Sequence, residues 1–249
     1  MQLRPRHLRR YGQIAEVFTR HGFGAVVAQL GLGRYLTLPQ RLLSREEPPT
    51  GATAAQHLRM ALEELGSTFV KLGQILSTRP DVLPPAFIDE LSKLQDEVPP
   101  GPWEPIQALI EEELGGPLGD FFLAFDPTPI AAASLAQVYA ALLLDGKQVV
   151  VKVQRPGIER VVNTDLEIIQ DLARLAQERT PLGDLYNLPE LADEFSVALR
   201  GELDYRLEGR NADRFRQNFA NESLLYVPEV YWDYGTRRVM VLELSLIHI

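Results

Sequence analysis

A lysine inside an apolar run, Val150-Val151-Lys152-Val153, is the residue of this sequence most in need of a chemical reason. An ammonium buried without a partner is costly, so a strand lysine needs a carboxylate, a phosphate, or both. A plainer placement also stands open, an edge strand from which the side chain reaches water. Upstream, Ile130-Ala131-Ala132-Ala133-Ser134 is a run of small side chains that would let backbone N–H groups approach an anion. Alanine takes positive φ less readily than the glycines of ordinary phosphate loops. Downstream, Glu202, Asp204 and Glu208 form a carboxylate set. On a continuous helix Asp204 and Glu208, four apart, share a face and Glu202 lies on another side. Helix carboxylates mostly face solvent, but a strand lysine gives one of them a reason to turn inward. A lysine paired with a helix carboxylate and set against close-approaching backbone is the chemistry of a nucleotide phosphate site.

The elements that must position these residues follow from periodicity and chain breakers. Residues 1–43 read as helical, with Leu8, Ile14, Val17 and Phe18 before a glycine-rich break, and Glu46-Glu47-Pro48-Pro49-Thr50-Gly51 reads as a linker. One long helix is expected from Thr53, because Leu58, Leu62, Leu65, Phe69, Leu72 and Leu76 recur at spacings of three and four. Ser67, Lys71, Gln74 and Thr78 then fall opposite that stripe, and Arg79-Pro80-Asp81 ends the helix. Helices over Ala86–Gln95 and Trp103–Leu114 follow, punctuated by Pro99-Pro100-Gly101-Pro102 and Gly115-Gly116-Pro117. Near Phe125 the pattern becomes that of strands. Gln137–Leu144 and Gln148–Val153 flank Asp145-Gly146 as a hairpin. Two helices, about Ile158–Gln177 and Leu188–Phe219 with a break admitted near Gly201, precede short strands at Leu225–Val227 and Arg238–Leu242.

Composition narrows the classes. With 45% hydrophobic and 24% charged residues the chain is an ordinary globular one. It has no cysteine, which removes disulfides and thiolate chemistry and points to a reducing, cytoplasmic setting. Its four histidines, His7, His21, His57 and His248, make no zinc pattern, so no metal site is expected from them. Residues 1–45 hold eight arginines against Glu16 alone, net +7, on a remainder of net −16. Such an arm suits an anionic membrane surface, or equally its own acidic body. Nucleic acid is not expected, since no basic run with interleaved aromatics follows. The longest weakly apolar stretch, Gly22–Gly33, is too short to span a bilayer.

Several motifs occur together in one order: Lys71-Leu72-Gly73-Gln74, with Phe69-Val70 before it and Ser77-Thr78-Arg79-Pro80-Asp81 after it; the alanine-rich run; Lys152 with Val153-Gln154-Arg155-Pro156-Gly157; and Glu202-x-Asp204. In these the chain resembles the UbiB/AarF-type atypical kinases, from its arginine-rich start to about Glu243. The resemblance implies an α+β fold: a protein-kinase-like small lobe of antiparallel sheet and αC-type helix, carrying an amino-terminal all-helical extension named for the KxGQ motif. It divides the chain into a basic arm and linker (1–50), the helical extension (51–124) and the small lobe (125–243). It implies ATP as cofactor, with Ala131, Ala132, Ala133 and Ser134 over the phosphates and Lys152 contacting them, paired with Glu208. Lys71, Gly73 and Gln74 would act with Glu202 and Asp204 to restrict peptide substrates. The implied setting is isoprenoid-quinone (ubiquinone) biosynthesis at the inner face of a membrane. Lipid, quinone precursors and quinone-biosynthesis proteins would be the partners, and ATPase activity is better supported than protein phosphorylation; the alternative is a non-catalytic module that binds membrane lipid or a partner.

The sequence also departs from that pattern. No HRD-like or DFG-like segment follows Lys152, and Asp120-Phe121-Phe122 precedes it. The residues that would position a phosphate acceptor and hold Mg²⁺ belong to a large lobe that these residues do not supply, so no catalytic residue is assigned. Leu244–Ile249 reads as a translated sequencing-library adaptor, the alternative being a genuine apolar tail; the natural frame is expected to continue after Glu243.

Overall fold

The computed structural model describes residues 7–36, 53–95, 98–220, 222 and 224–245. The expected linker, Arg4, Arg6, Arg41, Arg45 and the end of the adaptor-like tail lie outside them. In chain order the α-helices of more than four residues are α1 (Leu8–Phe18), α2 (Gly24–Gln29), α3 (Ala54–Leu65), α4 (Ser67–Leu76), α5 (Pro85–Leu91), α6 (Trp103–Leu114), α7 (Ile158–Arg179), α8 (Leu188–Glu202) and α9 (Tyr205–Asn218). The strands are β1 (Phe122–Ala132), β2 (Ala136–Leu143), β3 (Gln148–Gln154) and β4 (Val239–Glu243). Two compact units result, Met1–Asp96 with Arg160–Val197, and Glu97–Glu159 with Ala198–Ile249.

The first unit is helical. Thr53 opens α3 with a reciprocal cap: its hydroxyl accepts from the Gln56 N–H and its own N–H donates to the Gln56 side chain. The single long helix expected from Thr53 is instead two. At Gly66 φ is +95°, a conformation that side-chain-bearing residues avoid, and the chain turns there before α4 starts. The apolar stripe therefore does not run on unbroken; in α4 Thr68, Phe69, Val70 and Gly73 are all buried. The next helix stops at Leu91 rather than Gln95, closing in a turn through the Leu91 carbonyl and the Leu94 N–H. Arg10 of α1 makes a two-pronged pair with buried Asp165 of α7 at 2.8 and 2.9 Å, and also donates to the Leu65 carbonyl.

The second unit is built on a four-stranded antiparallel sheet in the order β1-β2-β3-β4. The β2–β3 hairpin turns at Asp145-Gly146 as expected, Gly146 at φ +84° and the Asp145 carboxylate accepting from the Lys147 N–H. One face of the sheet is apolar: Tyr139, Val149, Val151, Val153, Val239 and Val241 pack with Ile106, Leu109 and Ile110 of α6. Each such aliphatic side chain, taken out of water, contributes about 1.5–3 kcal/mol. The other face carries a smaller cluster, in which Tyr205 of α9 packs with Ala136 and Met240.

Two expectations change here. The helix expected over Leu188–Phe219 breaks at Leu203-Asp204, because Asp204 adopts extended backbone and caps α9, accepting from the Arg206 N–H. Residues 225–227 form no strand. The segment beside β4 is 229–231, joined by one isolated bridge between Val230 and Leu242 and by flanking backbone hydrogen bonds.

Candidate functional site

The site grows from β3. Because Val149, Val151 and Val153 are buried toward α6, alternation turns Val150, Lys152 and Gln154 to the opposite face. The strand registers pair Ala131 with Val138, Val138 with Lys152, and Lys152 with Met240. One row across the sheet therefore carries Ala131, Val138, Lys152 and Met240 on a common face. Lys152 Nζ donates to both carboxylate oxygens of Glu208, each at 2.7 Å, and lies 4.8 Å from the centre of the Tyr205 ring. The side chains are 28% and 47% exposed, so water screens the pair. What it fixes is the position of an ammonium whose third N–H is not directed at Glu208. Burial pushes the Tyr205 hydroxyl well above its ordinary range, with Glu208 and Glu202 adding to the effect, and the ring stays a neutral floor beneath the ammonium.

The end of β3 organises the other motif residues of this unit. Gln154 is buried and donates at 2.7 Å to the Leu203 carbonyl, between Glu202 and Asp204 at the α8–α9 break. Asp204 does not share a helix face with Glu208, as expected from spacing alone; it sits at the cap. Its carboxylate accepts from Arg206 Nε and Nη2 at 2.9 and 3.0 Å, and that guanidinium holds it below the usual carboxylate range. Glu202 is exposed at the end of α8. Ala131 and Ala132 are the last residues of β1 rather than loop residues, and Ala133, Ser134 and Leu135 make the turn into β2. Ala133 N–H donates to the Ala136 carbonyl at 2.8 Å, Ser134 is buried, and no alanine takes positive φ. This turn needs none of the freedom that glycine supplies elsewhere.

Lys71, Gly73 and Gln74 lie in α4, in the helical unit. Lys71 and Gln74 are half-buried, and the Gln74 amide donates to the Leu94 carbonyl at 3.2 Å. Gly73 is a packing residue: a Cβ there would meet Leu94 at 2.3 Å and Leu62 at 2.9 Å. Of the arginine-rich arm, Arg10 is held by Asp165 and Arg20 by Glu64, so these two serve the helical unit's own interior and surface. Arg9 is exposed. No described helix is long and apolar enough to cross a membrane. Among the described residues no group of three or more His, Asp or Glu side chains is placed to hold a metal ion, so Mg²⁺ ligands are not assigned to them.

Sequence reasoning missed three positioning residues. Gly209, beside Glu208, is buried with the Trp232 ring and Val230 against it, and Trp232 Nε1 donates to Asp213 at 2.7 Å. Gln154 and Arg155 stand in the sequence only as neighbours of the Lys152 motif. A glycine within an otherwise polar helix was the one local sign available for the first; the other two have partners far away in sequence.

A four-stranded antiparallel sheet with a lysine on its third strand paired to a carboxylate on a later helix defines a protein-kinase-like small lobe. An ABC1 atypical kinase-like domain matches residues 93–246, and the chain belongs to that family, in agreement with the resemblance carried by its motifs. It is 44% identical over 196 residues to a probable protein kinase UbiB of Marinobacter nauticus, covering 79% of this chain and 36% of that protein. To a Cellvibrio japonicus protein of the same name it is 39% identical over 233 residues, covering 93% of this chain and 42% of that one. Among solved structures it is similar to Rv3197 of Mycobacterium tuberculosis, determined with erythromycin. That likeness has a TM-score of 0.54 at 30% identity and covers 77% of this chain and 48% of the other. The chain thus spans less than half the length of these relatives.

Proposed function

We propose that this chain is the nucleotide-binding part of an atypical kinase or ATPase that serves isoprenoid-quinone biosynthesis. The observation that carries the reading is the two-pronged contact of Lys152 with Glu208 on the sheet face turned away from the core. An ammonium oriented by a carboxylate, half-exposed, with a donor left over, fits a phosphate oxygen. Ala131, Ala132 and Ala133, at the same end of the sheet, carry no side chain large enough to block a phosphate. ATP, when bound, would supply the phosphoryl group; the residues of this chain hold and orient it. Lys152 would neutralise phosphate charge, Glu208 would keep the ammonium in place, and Tyr205 would support it from below. The quinone setting comes from the resemblance to the UbiB/AarF-type family, and the regulatory role of Lys71, Gly73, Gln74, Glu202 and Asp204 comes from their motifs; both belong to the same proposal.

The test is calorimetric titration of the chain with ADP, beside Lys152→Met and Glu208→Gln. Losing a charged contact to phosphate is expected to weaken binding about 10- to 100-fold in Lys152→Met, with a smaller loss in Glu208→Gln. Binding that is indifferent to Lys152 would remove the proposed site.

A further inference from the structure

The turn proposed to cover the phosphates is not an independent loop. Arg155, the first residue after β3, donates from Nε to the Ala133 carbonyl at 2.8 Å. From Nη2 it donates to the carbonyls of Pro99 and Val98, at 3.0 and 3.3 Å. One guanidinium therefore joins the first residue of the turn to the segment that leads into α6. Two further contacts tie the same segment to the same strands. Gly101 N–H donates to Oε1 of the fully buried Gln137 at 2.8 Å, and Val98 N–H donates to the Ala132 carbonyl at 3.4 Å. The Arg155 N–H also donates to the Leu135 carbonyl at 2.9 Å, so both its backbone and its side chain hold the turn.

This geometry differs in kind from a glycine-rich cover. A glycine loop follows a ligand by changing φ and ψ; a turn of alanine and serine, with no positive φ, has less freedom to do so. Beyond the Ala133 N–H to Ala136 carbonyl hydrogen bond within it, the turn is held from outside, and the residue placed to hold it is Arg155. The planar guanidinium suits that task, since its donors leave in fixed and divergent directions, whereas the three donors of a lysine ammonium sit at one point on a flexible stem and cannot span carbonyls set apart. None of its three acceptors is a carboxylate, so the contacts define backbone position rather than neutralising charge.

Resting on the nucleotide reading above, we infer that Arg155 is a positioning residue for that site: it presets the Ala133–Leu135 turn for the phosphates by bracing the Ala133 carbonyl against residues 98 and 99. Arg155 touches no phosphate in this scheme and acts only through the turn. Affinity for the phosphate-bearing part of a nucleotide should then depend on Arg155, and affinity for the nucleoside part should not.

The experiment uses Arg155→Lys and Arg155→Ala, with Lys152→Met as the reference for loss of direct contact. Two quantities are read in the whole chain: the affinities for ADP and for adenosine, and amide hydrogen exchange at residues 133–135. Both Arg155 variants are expected to weaken ADP about tenfold and to leave adenosine within about twofold, the size of one charge-assisted hydrogen bond removed. Exchange at 133–135 should be faster in both, while helix α9 exchanges as in the parent. Equal weakening of ADP and adenosine would show a general structural defect and overturn the inference, as would unchanged ADP affinity or unchanged exchange at the turn. If the parent binds neither ligand, the nucleotide reading itself fails; the exchange result still decides whether Arg155 holds the turn. A Lys152→Met variant that loses ADP without altering exchange separates direct contact from positioning.

Discussion

Replacing Gly209 by alanine sets two levels of structure against each other. In an isolated helix the change is favourable by about 1 kcal/mol, because glycine gives up more backbone freedom on folding. In this fold the new methyl would stand 2.8 Å from Cη2 and 3.1 Å from Cζ2 of Trp232, and 3.4 Å from Cγ1 of Val230. An indole ring cannot bend aside as the end of a leucine can, so either α9 shifts from β4 or the ring swings out. Forcing the methyl into place costs about 1–3 kcal/mol. Swinging the ring out breaks its 2.7 Å hydrogen bond to Asp213, a loss of about 1 kcal/mol at this partly exposed position. It also returns ring surface to water, about 1–2 kcal/mol more for a side chain that is already 40% exposed. Either route outweighs the helix gain, and the expected net loss is about 1–2 kcal/mol. Equilibrium urea denaturation measures it, with Asn211→Ala on the exposed side of α9 as the control for propensity alone. Tryptophan emission reports whether Trp232 has moved. Glu208 is the adjacent residue, so a shifted α9 should also weaken ADP. A Gly209→Ala protein as stable as its parent, or more so, would refute the packing argument and leave α9 without its anchor.

In the helical unit, Gly73→Ala brings a methyl to 2.3 Å from Leu94 Cδ1 and 2.9 Å from Leu62 Cδ1. Both leucines are buried and their ends must repack. Set against a helix gain of about 1 kcal/mol, the change should leave stability level or lower it by up to about 2 kcal/mol in thermal or urea denaturation. Arg10→Ala leaves Asp165, 2% exposed, without its ion-pair partner; about 3 kcal/mol should be lost, and much of it should return when Asp165 is also made leucine. Glu113 is a pH-dependent contributor. Burial opposes its charge, but hydrogen bonds from Thr236 and Arg238 prevail and hold its carboxyl below 4.5. A folded value below the unfolded one means that the stabilisation is present above about pH 4.5 and fades as pH falls below it. Glu113→Gln should therefore cost about 1 kcal/mol at pH 7 and progressively less in urea titrations toward pH 3; a constant difference across that range would be the wrong outcome for this account. Tyr205→Phe removes a buried hydroxyl that has no hydrogen-bond partner among the described residues, so stability should stay level or rise by up to about 1 kcal/mol, as calorimetric melting would show.

Local chemistry explains which elements could be read in advance. The β2–β3 hairpin is legible because Asp145-Gly146 is a turn that flanking residues cannot displace, and α6 because Pro102 and Gly115 bound it closely. The same reasoning runs two helices together at Gly66, where the leucine spacing continues across a break that only the backbone angle reveals. It also misplaces Asp204: at a spacing of four from Glu208 the carboxylate looks like a face-mate, but aspartate competes for backbone N–H groups and ends up as the cap. The residue types of the site stand out in the sequence. Their arrangement does not, because the row from Ala131 to Met240, 109 positions apart, depends on registers among four strands.

By itself, then, the sequence determined the family motifs and their order, the hairpin, the limits of α6 and nearly those of α7, and the presence of a lysine within an apolar strand. Those properties are written in neighbouring residues, where turn propensity, capping and periodicity act over a few positions. Tertiary structure alone decided that Glu208 meets Lys152 across 56 positions, that Arg10 turns to Asp165 across 155, and that Arg155 braces Ala133 across 22. A charged side chain takes the partner that the packed core brings within about 3 Å, and which one that is depends on how the apolar faces of distant elements fit together.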